Sequence, residues 1–370
     1  MNKRNAGIGG LLVLVIAILS VVFGVDLFAE LGLDVGTDPS GPVVPADPGS
    51  SDWYEIYFTN PTCPPEGERN GGLDETIAED ISQAQLQVDV AGFDIDAEPI
   101  VDALIGLEER GVRVRVVTDE DNADLSSIRR LRRNGISVVE DRRSVLMHNK
   151  FIVIDGRYVW MGSLNYTTNG VYCNNNNLVR FDAPELAINY VVELGEMYDD
   201  RLFGPDSPDA TPNEKLTVHG VQVENYFGPE KEIAPIIARN VASARQEILF
   251  MAFSFTDDQI GQAMLGRADA GVSVRGVFET TGSDTAYSYY PKMAAAAIPG
   301  LSVRTDGNPH IMHHKVIIID RETVIFGSFN FSDSANRKND ENIVIVRDPV
   351  FTSFFVEEFN AVWAEAVPGG

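Results

Sequence analysis

The chain contains itself twice, and a repeat of this size restricts the fold more than composition does. HNKFIVID at 148–155 matches HHKVIIID at 313–320. VWMGSLNYTTNG at 159–170 matches VIFGSFNFSDSA at 324–335, and NNNNLVRFDAP at 174–184 matches NDENIVIVRDP at 339–349. All three pairs share one offset (313 − 148, 330 − 165 and 342 − 177, each 165). Upstream, AGFDID at 91–96 matches MAFSFT at 251–256, and GVRVRVVTD at 111–119 matches GVSVRGVFE at 271–279, both at an offset of 160 (251 − 91, 271 − 111). The break falls near GPDSPDATPNEK, 204–215, whose prolines and polar residues suit a linker. The expected units are a first repeat over 53–203, a linker over 204–218 and a second repeat over 219–366.

Within each copy, short apolar strands alternate with amphipathic helices. A strand near Tyr57 or Tyr226 comes first, and a helix follows. Further strands are expected over 86–93 and 112–118, or 247–255 and 272–278. A closing helix over 185–198 or 350–365 ends the copy. Runs as apolar as VIII imply strands buried on both faces, so the fold class is α/β, each repeat a mixed sheet flanked by helices.

The N-terminus has a different character. After Lys3 and Arg4, Ala6 to Val25 carries no charge. Twenty residues in a helix span roughly 30 Å, one bilayer core. VDLFAELG is a poor cleavage site, so an uncleaved anchor over 1–30 is expected, with a secreted form as the alternative. The basic residues before it predict an extracytoplasmic body. Residues 31–52, rich in Gly, Pro, Asp and Ser, read as a stalk. Cys63 and Cys173 either pair outside the cytoplasm or stay separate buried thiols. The formal charge of −26 argues against a general nucleic-acid binder, though not against a local basic site.

Chemistry enters with the repeated polar residues. Side chains at i and i+2 of a strand share a face. His148 therefore sides with Lys150, and His313 with Lys315, while Asn149 and His314 point the other way. Asp155 and Asp320, five residues past each lysine, fall on the opposite face at the strand end. That position suits anchors for the following turn. Two histidines, two lysines and two asparagines from related units suggest one site on a pseudo-twofold axis. The lysines and the amides of Asn165 and Asn330 make a donor-rich pocket for an anion such as phosphate. One imidazole can attack phosphorus and the other can protonate the leaving oxygen. No metal or other cofactor is required, because the lysine pair supplies the positive charge. A metal cluster of His310, His313 and His314 has no counterpart in copy one, which has Val145 and Asn149 at two of those places. His219, alone near the linker, reads as incidental.

HNKFIVID with GSLN, and HHKVIIID with GSFN, resemble the HKD motifs of the phospholipase D superfamily. The resemblance covers roughly residues 52–366. It implies two motifs meeting in one active site, and phosphodiester cleavage through a covalent phosphohistidine that is then hydrolysed or passed to an alcohol. It carries the catalytic role to His148, Lys150, Asp155, His313, Lys315 and Asp320. Phosphate binding falls to Asn165 and Asn330, with Ser163 and Ser328 beside them. Glu341 matches the acidic residue that orients a histidine in related enzymes, and Asn176 holds the equivalent place in copy one. With Glu341 beside His313 and Asn176 beside His148, the expectation is a neutral nucleophile at His148 and a general acid at His313.

Substrates in the superfamily include phospholipids, cardiolipin and nucleic acids. The anchor and the acidity favour a phospholipid. Tyr287, Tyr289, Tyr290 and Met293 are candidates for an acyl-facing entrance. A nuclease is the alternative, supported by SSIRRLRRNG at 126–135 with Arg142 and Arg143, which lead into the His148 strand. A membrane-tethered binding protein is a third reading, and intact motifs in both copies speak against it. Both half-sites lie in one chain, so a monomer suffices.

Overall fold

The computed structural model describes residues 50–368. The expected anchor, and the stalk up to residue 49, lie outside the described residues. Among the described residues no helix is long and apolar enough to cross a membrane.

Two sheets of the same construction carry the two copies. The first comprises β1 (Ser50–Ser51), β2 (Tyr54–Phe58), β3 (Gln87–Gly92), β4 (Arg113–Asp119), β5 (Ser137–Asp141), β6 (Lys150–Ile154), β7 (Tyr158–Gly162) and β9 (Asn177–Asp182). Their spatial order is β1-β2-β9-β7-β6-β3-β4-β5. β3, β4 and β5 are parallel, and every other pairing is antiparallel.

The second sheet has β10 (Lys215–Val218), β11 (Val221–Gly228), β12 (Glu247–Ala252), β13 (Ser273–Phe278), β14 (Leu301–Thr305), β16 (Lys315–Ile319), β17 (Thr323–Gly327), β18 (Glu341–Arg347) and β19 (Val367–Pro368). Its order is β10-β11-β18-β17-β16-β12-β13-β14-β19, again with a parallel trio, β12 to β14. The second sheet thus begins at Lys215, inside the stretch expected to be linker.

Strand parity sorts the side chains into layers. Phe151 and Val153 of β6, and Val316 and Ile318 of β16, join a central core shared by both sheets. Helices α5 (Pro184–Gly195) and α9 (Pro349–Glu365) fill it with Leu186, Tyr190, Phe351, Phe355 and Phe359. The alternate residues, Ile152 and Ile154 or Ile317 and Ile319, face two separate outer cores. Helices α1 (Leu73–Ser82), α2 (Glu98–Glu109) and α3 (Ser126–Arg133) cover the first. Helices α6 (Ile233–Ala242), α7 (Asp258–Asp269) and α8 (Tyr289–Ala295) cover the second. Burial on both faces is what the continuous apolar strands demanded.

The copies fill equivalent space differently. In register, Val90 of β3 sits opposite Val116 of β4, whereas Phe250 of β12 sits opposite Gly276 of β13. A Cβ at residue 276 would lie 1.9 Å from Phe250 Cζ, so the ring occupies the volume that two valines share in copy one.

Tyr289 and Met293 are core residues, 0% and 2% exposed, and Tyr290 packs against the same core. Of the four residues expected to line an acyl-facing entrance, Tyr287 stands out at 80% exposure. The sequence places the others on the inner face of α8, and apolar packing claims them. Cys63 and Cys173 form a disulfide between the segment after β2 and the end of α4 (Thr168–Tyr172).

Candidate active site

The sites of the two copies meet because the copies interlock. β8 (Asn174–Asn175) of the first repeat pairs in parallel with β15 (Ile311–Met312) of the second. The equivalent bridge joins Met147 of the first to Asp340 of the second. Each pairing continues one residue further. The His148 N–H donates to the Asp340 carbonyl at 2.9 Å, and the His313 N–H donates to the Asn175 carbonyl at 2.9 Å. A buried carboxylate steadies each approach. Asp119 accepts from the Met147 N–H at 2.8 Å, and Glu279 from the Met312 N–H at 2.7 Å. These two acids occupy matched places in the repeat (279 − 119 = 160).

This interlock exchanges the partners expected from sequence. Nδ1 of His148 lies 2.9 Å from both carboxylate oxygens of Glu341, and Nδ1 of His313 lies 3.0 Å from Oδ1 of Asn176. Glu341 therefore serves the histidine of the first repeat and Asn176 that of the second, the reverse of the expected pairing. The reason is topological. Asn176 lies just before β9 and Glu341 opens β18, and the segment leading into each of these strands crosses to the other copy.

Ser163 and Ser328 also differ from expectation. Both are fully buried, and they hold the orienting residues instead of facing a phosphate. The Ser163 hydroxyl donates to Asn176 Oδ1 at 2.9 Å, and the Ser328 hydroxyl donates to Glu341 Oε2 at 2.6 Å. Each hydroxyl also accepts a backbone N–H, from Asn177 at 3.1 Å and Asn342 at 3.0 Å. The glycine before each serine permits this approach. A Cβ on Gly162 would lie 2.3 Å from the Asn177 carbonyl, and one on Gly327 2.2 Å from that of Asn342.

Asp155 and Asp320 lie at the turns after β6 and β16, where strand parity put them, and both carboxylates are taken up by backbone N–H groups. The Asp155 carboxylate accepts the N–H groups of Gln85, Leu86 and Gln87 at 2.8–3.0 Å. Asp320 does the same for Arg245, Gln246 and Glu247, which holds its carboxyl below the usual range. Both sit in left-handed backbone at the turn, φ 53° and 52°.

His148, Lys150, His313 and Lys315 converge and are all buried. Lys150 Nζ donates to the His148 carbonyl and Lys315 Nζ to the His313 carbonyl, both at 2.8 Å. Phe93 and Phe253, missed as site residues although they align in the repeat, pack on these groups. Their rings lie 5.3 and 4.8 Å from His148 and His313, and 5.2 and 4.7 Å from the respective lysine Nζ.

Burial works against charge here. It lowers both imidazoles well below their ordinary value, helped by Lys150 and Lys315. It brings Lys150 down to about 7 and pushes Glu341 up to about 8. An anion between the lysines raises Lys150 and the imidazoles again by supplying the missing counter-charge; it does not lower Glu341, whose carboxylate is favoured instead by the charged lysines and the Ser328 hydroxyl. Oδ1 of Asn165 and of Asn330 is buried without a partner.

His314 faces the opposite side, as parity required, with Nδ1 3.1 Å from Asn177 Oδ1 and Nε2 3.0 Å from Glu358 Oε1. His310 is exposed and stands by Cys63 and Cys173, whose sulfurs are already bonded to each other. His219 stacks on Trp53 at 6.4 Å. Four of the six arginines in 126–135 and at 142–143 are paired with acids. Arg130 pairs with Glu98 and Asp102, Arg132 and Arg142 share Glu140, and Arg143 pairs with Asp141 and Asp340.

Residues 77–198 and 237–363 both match the family described as cardiolipin synthase, PLD-like domain. A mitochondrial cardiolipin hydrolase of Chlamydomonas reinhardtii is 34% identical over 121 residues, which cover 32% of this chain and 54% of that protein. The match thus spans about half the length of that relative. A phospholipase D of Rickettsia bellii is 30% identical over 155 residues, 40% of this chain and 76% of that one. Among solved structures, the phosphatidylserine synthase of Haemophilus influenzae superposes with a TM-score of 0.65, covering 85% of this chain and 87% of that one. At 12% identity that likeness concerns the fold alone.

Proposed function

Since the chain belongs to the phospholipase D-like family, with one PLD-like unit in each repeat, we propose that it is a phosphodiesterase acting on phospholipids through a covalent phosphohistidine. The observation that carries the reading is the crossed support of two buried histidines, Glu341 on His148 and Asn176 on His313. A carboxylate accepting Nδ1–H leaves the Nε2 lone pair of His148 free to attack phosphorus. It also stabilises the positive ring that the new P–N bond creates. His313, held by a neutral amide, is the group that protonates the leaving oxygen. It then takes a proton from the water or alcohol that releases the phosphoryl group. Lys150, Lys315 and the amides of Asn165 and Asn330 hold the phosphate oxygens.

This assignment keeps His148 as nucleophile but changes the reason. The carboxylate activates the nucleophile instead of charging the acid. Positive charge comes from the lysines, so turnover is expected to survive EDTA. The Cys63–Cys173 disulfide supports an oxidising, extracytoplasmic setting, in keeping with an N-terminal anchor. Both repeats contribute to each half of the site, so one chain suffices. Arg130 and Arg132, two of the four arginines in 126–135, are paired with acids, which weakens the support for a nuclease.

The test is turnover of phosphatidylcholine, cardiolipin and single-stranded DNA by the purified chain, with and without EDTA, beside His148→Ala. Lipid turnover abolished by the substitution is expected. Cleavage of DNA alone would replace the lipid reading with the nuclease one. Activity that persists in His148→Ala would end the mechanism.

A further inference from the structure

The two halves of the site differ in charge at one aligned rim position. Phe93 is followed by Asp94, and its counterpart Phe253 by Ser254. The backbone treats the two alike. The Tyr166 N–H donates to the Asp94 carbonyl and the Phe331 N–H to the Ser254 carbonyl, each at 3.1 Å. Tyr166 follows Asn165 and Phe331 follows Asn330, so each rim residue stands between the aromatic ring and the asparagine of its own half. Both are half-buried, and Asp94 lies close enough to Lys150 to feel its charge.

Asp94 is also unspent. Its Oδ1 is buried with no hydrogen-bond partner. The nearby Lys150 directs its ammonium to the His148 carbonyl and acts on Asp94 only through its charge. The Ile95 N–H is a donor to the carboxyl group, but an oxygen buried without one is costly unless something arrives to donate. Nothing in the interlock of the repeats requires an acid there, because Ser254 fills the same place in the other half.

We propose that Asp94 is a specificity-determining residue that receives a hydrogen-bond donor, a hydroxyl or an ammonium, carried by one alcohol of the bound phosphodiester. The inference rests on the phosphodiesterase reading and narrows it. The substrate is a phosphodiester with a donor-bearing head group. A polynucleotide would bring a further phosphate toward a carboxylate. A site built to pair with a donor discriminates strongly against an analogue lacking one, because the buried acceptor is then left empty.

The experiment uses the full chain and mixed micelles of phosphatidylglycerol, phosphatidylethanolamine or phosphatidylcholine, which offer hydroxyls, an ammonium or no donor. Bis(4-nitrophenyl) phosphate serves as a general phosphodiester. The parent is expected to prefer one donor-bearing lipid over phosphatidylcholine by about 10- to 100-fold in kcat/KM. Asp94→Ser, which copies the other half, is expected to bring that ratio within about threefold. The ratio is the readout, since partial unfolding or a general loss of activity leaves it untouched. Asp94→Asn separates the donor sources. It keeps a neutral acceptor, so a hydroxyl preference survives in part and an ammonium preference does not. A parent without preference, or a ratio unchanged in both variants, overturns the proposal. So does cleavage of single-stranded DNA in place of every lipid. Failure of the parent to turn over bis(4-nitrophenyl) phosphate or any lipid or DNA would instead remove the phosphodiesterase reading beneath it.

Discussion

Glu341 of the second repeat holds His148 of the first, with both carboxylate oxygens 2.9 Å from Nδ1. The matched residue of the first repeat, Asn176, holds His313 through an amide oxygen at 3.0 Å. Two near-identical motifs thereby have unequal partners. Glu341→Gln should lower kcat on the order of 10²–10⁴-fold, as loss of a histidine-orienting carboxylate does elsewhere. Phosphorus trapped by acid quench should be found on His148. Recovery of the label on His313 would invert the roles.

Asp155 should matter for stability and little for chemistry. Asp155→Ala strips three backbone N–H groups of their acceptor at a residue with φ of 53°. About 2–4 kcal/mol of unfolding free energy should be lost. Asp155→Asn tolerates the left-handed backbone and should lose less. Urea titration gives the stabilities, and kcat per folded molecule should stay within a few fold of the parent.

Phe250 and Gly276 form a compensated pair. Gly276→Val should destabilise by roughly 3 kcal/mol, since its Cβ would lie 1.9 Å from Phe250 Cζ. Phe250→Val alone leaves a cavity and should also destabilise. The double variant reproduces the Val90–Val116 arrangement of the first sheet. It should lie at least about 1 kcal/mol above the sum of the two losses. Strict additivity in a double-mutant cycle would refute the pairing.

Glu196 gives a pH-dependent test that does not involve the histidines or lysines of the site. Burial, with Asp200, Asp209 and Asp340 nearby, raises its carboxyl from 4.5 to about 7. Between those values the folded chain keeps a proton that the unfolded chain has released, so stability falls as pH rises through the window. Glu196→Gln removes this loss. Relative to the parent, the variant should gain on the order of 1–2 kcal/mol between pH 4.5 and pH 8, read by denaturant titration at each pH. A difference independent of pH would contradict the assignment.

Local periodicity made much of this legible in the sequence. The repeat gave two units, and strand parity separated His313 from His314 and sent Asp155 and Asp320 to the turns. The exchange of Glu341 and Asn176 was not legible. Alignment says which residues are equivalent but not which copy each one faces, and the crossing depends on β8 meeting β15. Ser163 and Ser328 were misread for a related reason. The glycine before each serine brings the hydroxyl against the next strand, and spacing alone carries no sign of that close approach. Phe93 and Phe253 were aligned in plain view, but an aromatic residue after an apolar strand is indistinguishable from core until its neighbours are known.

The crossing of the approach segments has a consequence for how such a site can diverge. A single repeat could build it only by pairing with a second copy of itself. Symmetry would then give both histidines the same partner. Placing the two repeats in one chain lifts that constraint, and the difference between Glu341 and Asn176 is available only because it is lifted. Each repeat has become the other's environment. A substitution in one copy registers first in the histidine of its neighbour, so the halves are free to drift apart only in step.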